Sequence, residues 1–376
     1  FSYKGIWPDN RIWENDEVFI NNSYPINPVT SGVATFDALN NKGKIHDIAL
    51  SNPIHFKSDS LFSLPIRLDS LLGQGNDVAL SPADSVYLSF YYQPQGLGDS
   101  PEPEDSLVLE FFIPNKLDPH NETAGRWIHI WSTEGLSLDD FYDQNQVYFK
   151  QVMIPIVDTT FFKNGFRFRF LNYSSLSVPD KTPVNYAGNV DVWHLDYVYL
   201  NKGRNMNDVF YKDIAFVNAA QPILKNYYLM PWYQYTANPV AELRESFNNQ
   251  ITNLNNIGHN YTYRYFIQDE NGANIRTYSG GSWNIEPFTQ SGYQNYQPHS
   301  NPTLVNNPLP TAPAEKRGFN IVHVVKEGTT GDDLQTNDTI RIFQSFDNYY
   351  AYDDGIAEKG YGLSGVKPRF AYSFTL

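Results

Sequence analysis

The chain contains no cysteine, and this absence excludes several kinds of site. A disulfide framework, a thiolate metal site and a cysteine nucleophile are all ruled out. The chain also has no apolar run near the ~18 to 20 residues of a membrane helix, so we do not expect it to span a membrane with helices. No basic-then-apolar signal segment opens the sequence, and a start at Phe1-Ser-Tyr-Lys4 is what we expect of a mature protein whose signal was removed.

Basic residues are scarce, because 27 Lys and Arg stand against 41 Asp and Glu and give a formal net charge of −14. Phosphate binding needs clustered Lys and Arg, so we expect no nucleic-acid partner. An acidic chain attracts positive charge, so a cation or a basic patch on a partner protein is a more plausible ligand than a nucleic acid.

Aromatic residues make up 16% of the chain, with 27 Tyr and 25 Phe, and Gly and Pro contribute 24 residues each. This composition favours many short strands joined by turns over long helices. A chain of 376 residues also exceeds the usual size of one hydrophobic core, so it predicts more than one domain. The sequence therefore predicts an all-β protein.

Two stretches carry the clearest strand patterns. In Gly165-Phe-Arg-Phe-Arg-Phe170 the rings alternate with guanidinium groups, which predicts a half-buried antiparallel strand. In Asp191-Val-Trp-His-Leu-Asp-Tyr-Val-Tyr-Leu200 both faces carry apolar bulk, as in a central strand of a sandwich. Residues 240–254 have near-helical spacing and are interpreted either as a short helix or as a loosely patterned strand.

These patterns predict four segments. Residues 1–30 form an extended arm, residues 31–204 a jelly-roll sandwich, and residues 205–348 a smaller immunoglobulin-like β-sandwich with a long Asn/Pro-rich loop. Residues 349–376 either start a further β domain, in which case the natural chain continues beyond Leu376, or pair back onto an earlier domain.

Enzymatic activity has no positive support in the sequence, and we predict a non-enzyme. The Glu-x-Asp-x-x-Glu spacing of jelly-roll glycosidases does not occur, and neither does a nucleophile elbow, a phosphate loop or a His metal motif. Four acids, Asp99, Glu102, Glu104 and Asp105, lie in a loop with three prolines, which predicts a solvated acidic surface.

Calcium is the cofactor that the sequence favours. The first and last strands of a sandwich domain are often neighbours, so Asp37 and Asp196 are predicted to approach each other, with Asn40 and Asn41 or backbone carbonyls as further oxygen ligands. The alternative is that these side chains only cap turns.

Exposed aromatics supply a binding hypothesis. Met230-Pro-Trp-Tyr-Gln-Tyr235 shows no alternation that would bury it, so Trp232, Tyr233 and Tyr235 are predicted to form a surface for a protein or a sugar. Trp131 and Trp193 lie in predicted strands and are interpreted as core.

The chain resembles a known group of domains in three places: the Phe-Asp that follows the Val-Ala strand near residue 33, Gly165–Phe170 and Asp191–Leu200. These stretches are similar to concanavalin-like jelly rolls of the MAM and cleaved-adhesin type, which implies an extracellular, non-catalytic domain that often binds calcium or other proteins. Through Pro94–Asp99, Asp105–Phe111 and Trp193–Asn201, the whole chain resembles exported proteins of Bacteroidota, and the resemblance covers residues 30–201 well and the remainder loosely. Six tripeptides also look like the O-glycosylation acceptor pattern of that lineage: Asp59-Ser-Leu61, Asp69-Ser-Leu71, Asp84-Ser-Val86, Asp105-Ser-Leu107, Asp158-Thr-Thr160 and Asp338-Thr-Ile340.

The resemblance implies export to the periplasm or the cell surface, in association with the outer membrane. We predict a binding or scaffold protein with a protein partner there, and a specific version of this hypothesis is a plug-like accessory subunit of the type IX secretion translocon. The alternative is a carbohydrate-binding module of a surface glycan-utilisation system, with polysaccharide as its partner. A glycoside hydrolase with an unusual carboxylate pair is a third, more remote hypothesis.

Overall fold

The computed structural model describes residues 6–14, 17–73, 76–114, 125–176, 191–291, 294–295, 304, 308–328, 335, 337–353 and 369. Strands dominate this part of the chain, which confirms the all-β prediction. The longest helix of the described residues has only 8 residues, so none of these helices could cross a bilayer.

The first half of the chain forms two facing sheets. Its strands in chain order are β1 (Trp13–Glu14), β2 (Phe19–Asn21), β3 (Val33–Phe36), β4 (Phe56–Ser63), β5 (Ile66–Arg67), β6 (Ser70–Leu71), β7 (Val78–Ala79), β8 (Tyr87–Pro94), β9 (Ser106–Ile113), β10 (Arg126–Glu134), β11 (Lys150–Pro155), β12 (Asn164–Ser174) and β13 (Trp193–Asn201). Its helices are α1 (Asp47–Ser51) and α2 (Leu138–Asn145). One sheet has the order β1-β4-β12-β9-β10, with β5 also paired to β12, and the other has the order β11-β8-β13-β3-β2.

Strand β12 shows why these residues form a sandwich. Phe166, Phe168 and Phe170 enter the core between the two sheets, where Trp193 and Phe90 come from the opposite sheet. On the other face of β12, the two arginines pair with carboxylates: Arg167 Nη2 lies 2.6 Å from Glu14 Oε2, and Arg169 Nε lies 2.6 Å from Glu110 Oε2. The alternation predicted a half-buried antiparallel strand. The antiparallel strand is confirmed, but the half-burial is wrong, because Arg167 is only 4% exposed and both faces of β12 are largely covered.

The segment predicted as an N-terminal arm contributes to both sheets. Strand β1 pairs with β4, and β2 pairs with β3, both antiparallel. The first sandwich therefore includes residues from both sides of residue 31.

The second half of the chain forms a second pair of sheets. Its strands are β14 (Ile214–Phe216), β15 (Leu229–Pro231), β16 (Gln250–Asn253), β17 (His259–Gln268), β18 (Asn274–Ile285), β19 (Gln294–Asn295), β20 (Arg317–Glu327) and β21 (Thr339–Asp347). Its helices are α3 (Trp232–Ala237), α4 (Pro239–Glu242) and α5 (Phe288–Ser291). A five-stranded sheet of order β15-β21-β20-β17-β18 and a three-stranded sheet of order β14-β16-β19 share one core.

Two ambiguous segments are settled by this part of the structure. Residues 240–254 contain both predicted alternatives in succession, the end of α4 and then strand β16. Beyond β21, Ala351 pairs back onto Leu229, so the described start of the C-terminal segment joins the second sandwich. The strand predicted near the end of the chain lies outside the described residues.

The two sandwiches meet at a small buried cluster of Val29, Val33, Tyr91, Phe149 and Tyr197 from the first half and Tyr211 and Leu254 from the second. Tyr197 adopts a left-handed φ of 47° where the pairing of β13 with β8 shifts register. Its hydroxyl donates to Asp213 Oδ2 at 2.6 Å. The junction therefore combines an apolar cluster with the buried hydrogen bond between Tyr197 and Asp213.

Replacing Tyr197 with phenylalanine removes this bond and keeps the ring. We expect a loss of about 2 kcal/mol in the free energy of unfolding, the usual size for a buried hydrogen bond to a charged group. Urea denaturation measures it, and Tyr199→Phe is the control because the Tyr199 hydroxyl accepts an exposed bond from Asn201. Equal effects of the two substitutions would contradict the role assigned to Tyr197.

Candidate metal centre

Three acidic side chains converge at one end of the first sandwich. One carboxylate oxygen from each of Glu102, Asp105 and Asp191 can be chosen so that all three lie within 4.8 Å of one another. Asp105 and Asp191 are 0% exposed, and Glu102 is half-buried. Among the described residues, no other group of three His, Asp or Glu side chains comes together in this way.

Ser175 sits among the three acids and links them. Its hydroxyl donates to Asp105 Oδ2 at 2.8 Å and lies 3.3 Å from Glu102 Oε2. Its backbone N–H donates to Asp191 Oδ2 at 2.6 Å. The cluster is therefore one connected group of oxygen atoms and not a chance neighbourhood of surface acids.

The strand pairing explains why these residues meet. Asp105 directly precedes β9 and Ser175 directly follows β12, and the ladder between these strands pairs Ser106 with Tyr173. Asp191 stands two residues before β13, with a left-handed φ of 55° that an aspartate tolerates better than most residues. Three chain segments that are distant in sequence thus end at the same corner.

The loop that carries Glu102 and Asp105 is fixed to its surroundings. Gln95 N donates to Val192 O at 2.7 Å, and Val192 N donates to Asp99 O at 3.2 Å, so the loop pairs with the segment that enters β13. On the other side Gly135 N donates to Asp105 O, and a Cβ atom at Gly135 would lie only 1.9 Å from the Glu102 carbonyl oxygen. Only glycine allows that approach.

The proximity of the acids shifts their proton affinity. Burial, opposed by the hydrogen bond from Ser175 and assisted by contact with the Glu102 carboxyl, raises the pKa of Asp105 to about 7. Burial, followed by the charges of Asp105 and Glu102, raises the pKa of Asp191 to about 10. Without a counter-charge, Asp191 therefore keeps its proton at neutral pH.

Two oxygen atoms of the cluster lack partners. Asp105 Oδ1 and Asp191 Oδ1 are both buried and neither accepts a hydrogen bond from a donor group within the described part of the chain, although the Glu102 carboxyl contacts both acids. The nearest imidazole to the first of these is His55, whose Nδ1 lies 4.0 Å away on a half-exposed ring. Leaving such atoms unsatisfied is costly, and a cation among the carboxylates would satisfy both oxygens and stabilise the ionised acids.

The prediction of a solvated acidic loop is wrong for Asp105, which is buried, whereas Glu102 is half-buried. Glu104 is exposed as predicted, but Asp105 is buried because the loop closes onto the start of β13 and the turn after β10. The three prolines of the loop predicted a solvated surface, whereas Gly98 brings the loop into close contact with Val192.

The structure does not bring together the residues predicted to bind calcium. The register pairs Trp193 with Phe36 and Leu195 with Ala34, so Asp37 follows one end of β3 while Asp196 lies near the other end. Both oxygens of Asp196 are occupied, since they accept bonds from the Thr30 N–H at 2.8 Å and the Thr30 hydroxyl at 2.9 Å.

The remaining predicted ligands cap a turn, which is the alternative that the sequence left open. Asp37 Oδ1 accepts a bond from the Leu39 N–H at 3.0 Å. Asn40 Oδ1 accepts bonds from the N–H groups of Lys42 and Lys44, and Asn41 is exposed in the same turn. These residues shape the loop after β3.

The prediction of an exposed aromatic surface is wrong for two of its three residues. Trp232 is 1% exposed and Tyr235 is 0% exposed, while Tyr233 is 67% exposed. The segment forms helix α3, in which residues three apart lie on one face. Trp232 and Tyr235 therefore enter the second core together, and Tyr233 points outward.

Comparisons with known proteins place few limits on this chain. No protein-family model matches it. The curated proteins likewise contain no match. Among solved structures, it is similar to a calcium-binding mutant of β-glucuronidase 2 from Bacteroides uniformis, with 8% identity, a TM-score of 0.24 and coverage of 76% of this chain and 26% of that chain.

A glycosyl hydrolase family 2 member from Bacteroides cellulosilyticus gives 6% identity, a TM-score of 0.26 and coverage of 76% of this chain and 28% of that chain. The chain spans about a quarter of the length of these two proteins. TM-scores this low carry no argument about function.

Proposed function

We propose that this chain is a non-catalytic, exported binding or scaffold protein of an outer-membrane or cell-surface assembly, and that its first sandwich is stabilised by calcium. The observation that carries the calcium site is the pair of buried, unpartnered oxygens, Asp105 Oδ1 and Asp191 Oδ1, within one cluster of three carboxylates. A cation at this position would tie together the loop before β9, the end of β12 and the start of β13.

Calcium suits the donor set better than other common ions. All donors are hard oxygens, from the carboxyl groups and the Ser175 hydroxyl. The chain contains no cysteine, and the group of three acids includes no imidazole. Calcium accepts 6–8 oxygen ligands in flexible geometry, whereas magnesium requires a nearly ideal octahedron. Irregular loop and strand-end positions therefore favour calcium.

The burial of the cluster supports a non-catalytic role. A glycoside hydrolase needs two carboxyl groups that face a bound sugar from opposite sides. Asp105 and Asp191 are inaccessible to solvent, so a sugar could not reach both without rearrangement of the loops. Three converging acids around one point are the arrangement of an ion site.

The exported location is part of the proposal. Calcium modules outside the cytosol have dissociation constants of about 10⁻⁴ to 10⁻³ M, and such sites are filled only where calcium is plentiful. On the resemblance of the sequence to exported Bacteroidota proteins, the specific assembly proposed is the type IX translocon, with this chain as an accessory subunit. Affinity purification from native outer membranes tests that assignment, and failure to recover translocon components would reject it.

Calcium titration calorimetry of the chelator-treated chain tests the metal site. We expect one site with a dissociation constant between about 10⁻⁴ and 10⁻³ M. Asp191→Asn should weaken it by about tenfold or more. This substitution imitates the protonated side chain that burial already favours, so the calcium-free fold should be preserved.

Glu104→Gln is the matched control, because it replaces a carboxyl group with an amide at an exposed position in the loop that carries Glu102 and Asp105. Calcium affinity of this variant should equal that of the parent. No heat of binding in the parent, or equal weakening by the two substitutions, would refute the site.

A further inference from the structure

A second surface feature lies on the second sandwich, and it consists of four tyrosines: Tyr227, Tyr233, Tyr350 and Tyr352, here termed the tyrosine surface. The ring of Tyr227 has its centroid 4.9 Å from that of Tyr350 and 5.0 Å from that of Tyr352. Tyr233 is 67% exposed and Tyr352 is 36% exposed. The hydroxyl of Tyr350 donates to Gln234 Oε1, which places it beside α3 and Tyr233.

The tyrosine surface is held in place by the backbone beneath it. Tyr228 N donates to Ala351 O at 2.8 Å, and Ala351 N donates to Leu229 O at 2.9 Å. The segment that follows β21 is therefore fixed against the edge strand β15. Tyr227 and Tyr350 also pack against the second core with part of their rings. Rings anchored in this way lose little freedom on binding, which favours affinity.

The groups around the rings indicate the chemistry of a ligand. Lys225 N donates to Glu242 O at 2.8 Å, so Glu242 lies beside the segment that carries Tyr227. Its carboxylate also helps to raise the pKa of the Tyr227 and Tyr350 hydroxyls, after partial burial and the neighbouring tyrosines. Tyrosine hydroxyls, the Gln234 amide and a carboxylate offer many hydrogen-bonding positions beside ring faces. A polyhydroxylated ligand can use both, since its C–H face covers a ring while its hydroxyls donate to the carboxylate.

Charge separates the classes of ligand. An anionic ligand would meet Glu242 and a chain with a net charge of −14, and both oppose its approach. An acyl chain would leave the hydroxyls and the amide without partners. Neither objection applies to a neutral sugar.

We propose that the tyrosine surface binds a neutral polysaccharide. The site lies in the second sandwich and shares no residue with the acidic cluster of the first, so it stands independently of the calcium proposal. Tyr233 and Tyr352 supply the exposed ring faces, and Glu242 and Gln234 accept hydrogen bonds from the sugar hydroxyls.

Affinity electrophoresis of the full chain in native gels tests the proposal. The gels contain xylan, galactomannan, laminarin or dextran as neutral polymers, and polygalacturonate as an anionic polymer. We expect retardation by at least one neutral polymer and not by polygalacturonate. The double variant Tyr233→Ala/Tyr352→Ala should lose at least about tenfold in affinity, or about 1.4 kcal/mol.

Trp283→Ala is the control, since Trp283 is a 39% exposed aromatic on β18, at the opposite edge of the same sheet. It should bind as the parent does, and both variants should keep the parent melting temperature. Retardation by none of the neutral polymers, or equal retardation of parent and double variant, would overturn the proposal. The proposal would also be overturned if the chain bound no polysaccharide and instead bound a protein partner that the double variant fails to bind.

Discussion

Replacing Trp232 with alanine is expected to lower the free energy of unfolding by about 3–5 kcal/mol, the usual cost of removing a large aromatic from a core. The ring is 1% exposed, stacks on Tyr235 at 5.2 Å and meets Phe346 edge-on at 5.0 Å. Its Nε1 donates to Ala312 O at 3.0 Å, so the substitution also removes a hydrogen bond. Urea denaturation measures the change.

Tyr233→Ala is the natural control for this experiment. The two residues are adjacent in sequence, but Tyr233 is 67% exposed, so its removal should change the free energy of unfolding by no more than about 0.5 kcal/mol. If Trp232 instead lay on a binding surface, the two variants would be equally stable. That result would contradict the burial of Trp232 in the core of the second sandwich.

The second large effect concerns pH and calcium together. Between about pH 7 and pH 9, the calcium-free chain is expected to lose stability relative to Asp191→Asn, by up to about 1.4 kcal/mol per pH unit. The pKa of Asp191 is about 10 in the folded protein, and its ordinary value is far lower. The folded state thus holds a proton that the unfolded state has released, and rising pH favours unfolding.

Asp105 behaves in the same way over a lower range, because its pKa is about 7 in the folded chain. The stability that the proton on Asp105 provides to the folded state is fully present below about pH 4 and is lost as the pH rises through about 7. Buried His194 and His323, with pKa values lowered to about 3, act in the opposite direction over that acidic range. The comparison with Asp191→Asn above pH 7 therefore isolates the acidic cluster.

Calcium should reverse this pH dependence. The ion binds the ionised carboxylates, so its affinity rises as protons leave. At a concentration 100 times the dissociation constant, it should add about 2.7 kcal/mol of stability. Melting curves at several pH values, with calcium or with chelator, measure both effects. A calcium-free chain whose stability relative to Asp191→Asn is independent of pH would contradict the assigned burial of Asp191.

Periodicity predicted the existence of strands β12 and β13 and the residues that face the core. In β12, each phenylalanine that alternates with an arginine enters the core, and in β13 Trp193 and Leu195 lie in the same core. Such patterns are local and depend only on the two-residue repeat of a strand. They required no knowledge of which strands are neighbours.

The metal site could not be predicted in this way, because it depends on strand order. Asp105 and Asp191 become neighbours through the pairing of β9 with β12 and through the hydrogen bonds between the loop and Val192. The signal in the sequence was an acid one or two residues before each of two strongly apolar strands. The proline-rich loop around Asp105 instead indicated a solvated surface.

The aromatic segment shows a different limit. Helix α3 has only 6 residues and no side-chain cap, so Trp232 and Tyr235 showed neither a strand pattern nor a convincing helix pattern. Its burial depends on β21 and on the chain near Ala312, which are distant in sequence. Tertiary contacts of that kind decide burial in short elements.

A crystal structure of the chain grown at saturating calcium tests the central claim most directly. An anomalous density peak is expected among Glu102, Asp105 and Asp191, at about 2.3–2.6 Å from their carboxylate oxygens. The previously unpartnered oxygens of Asp105 and Asp191 should be among its ligands. Carboxyl groups bonded only to one another and to Ser175, with no peak between them, would contradict the metal centre.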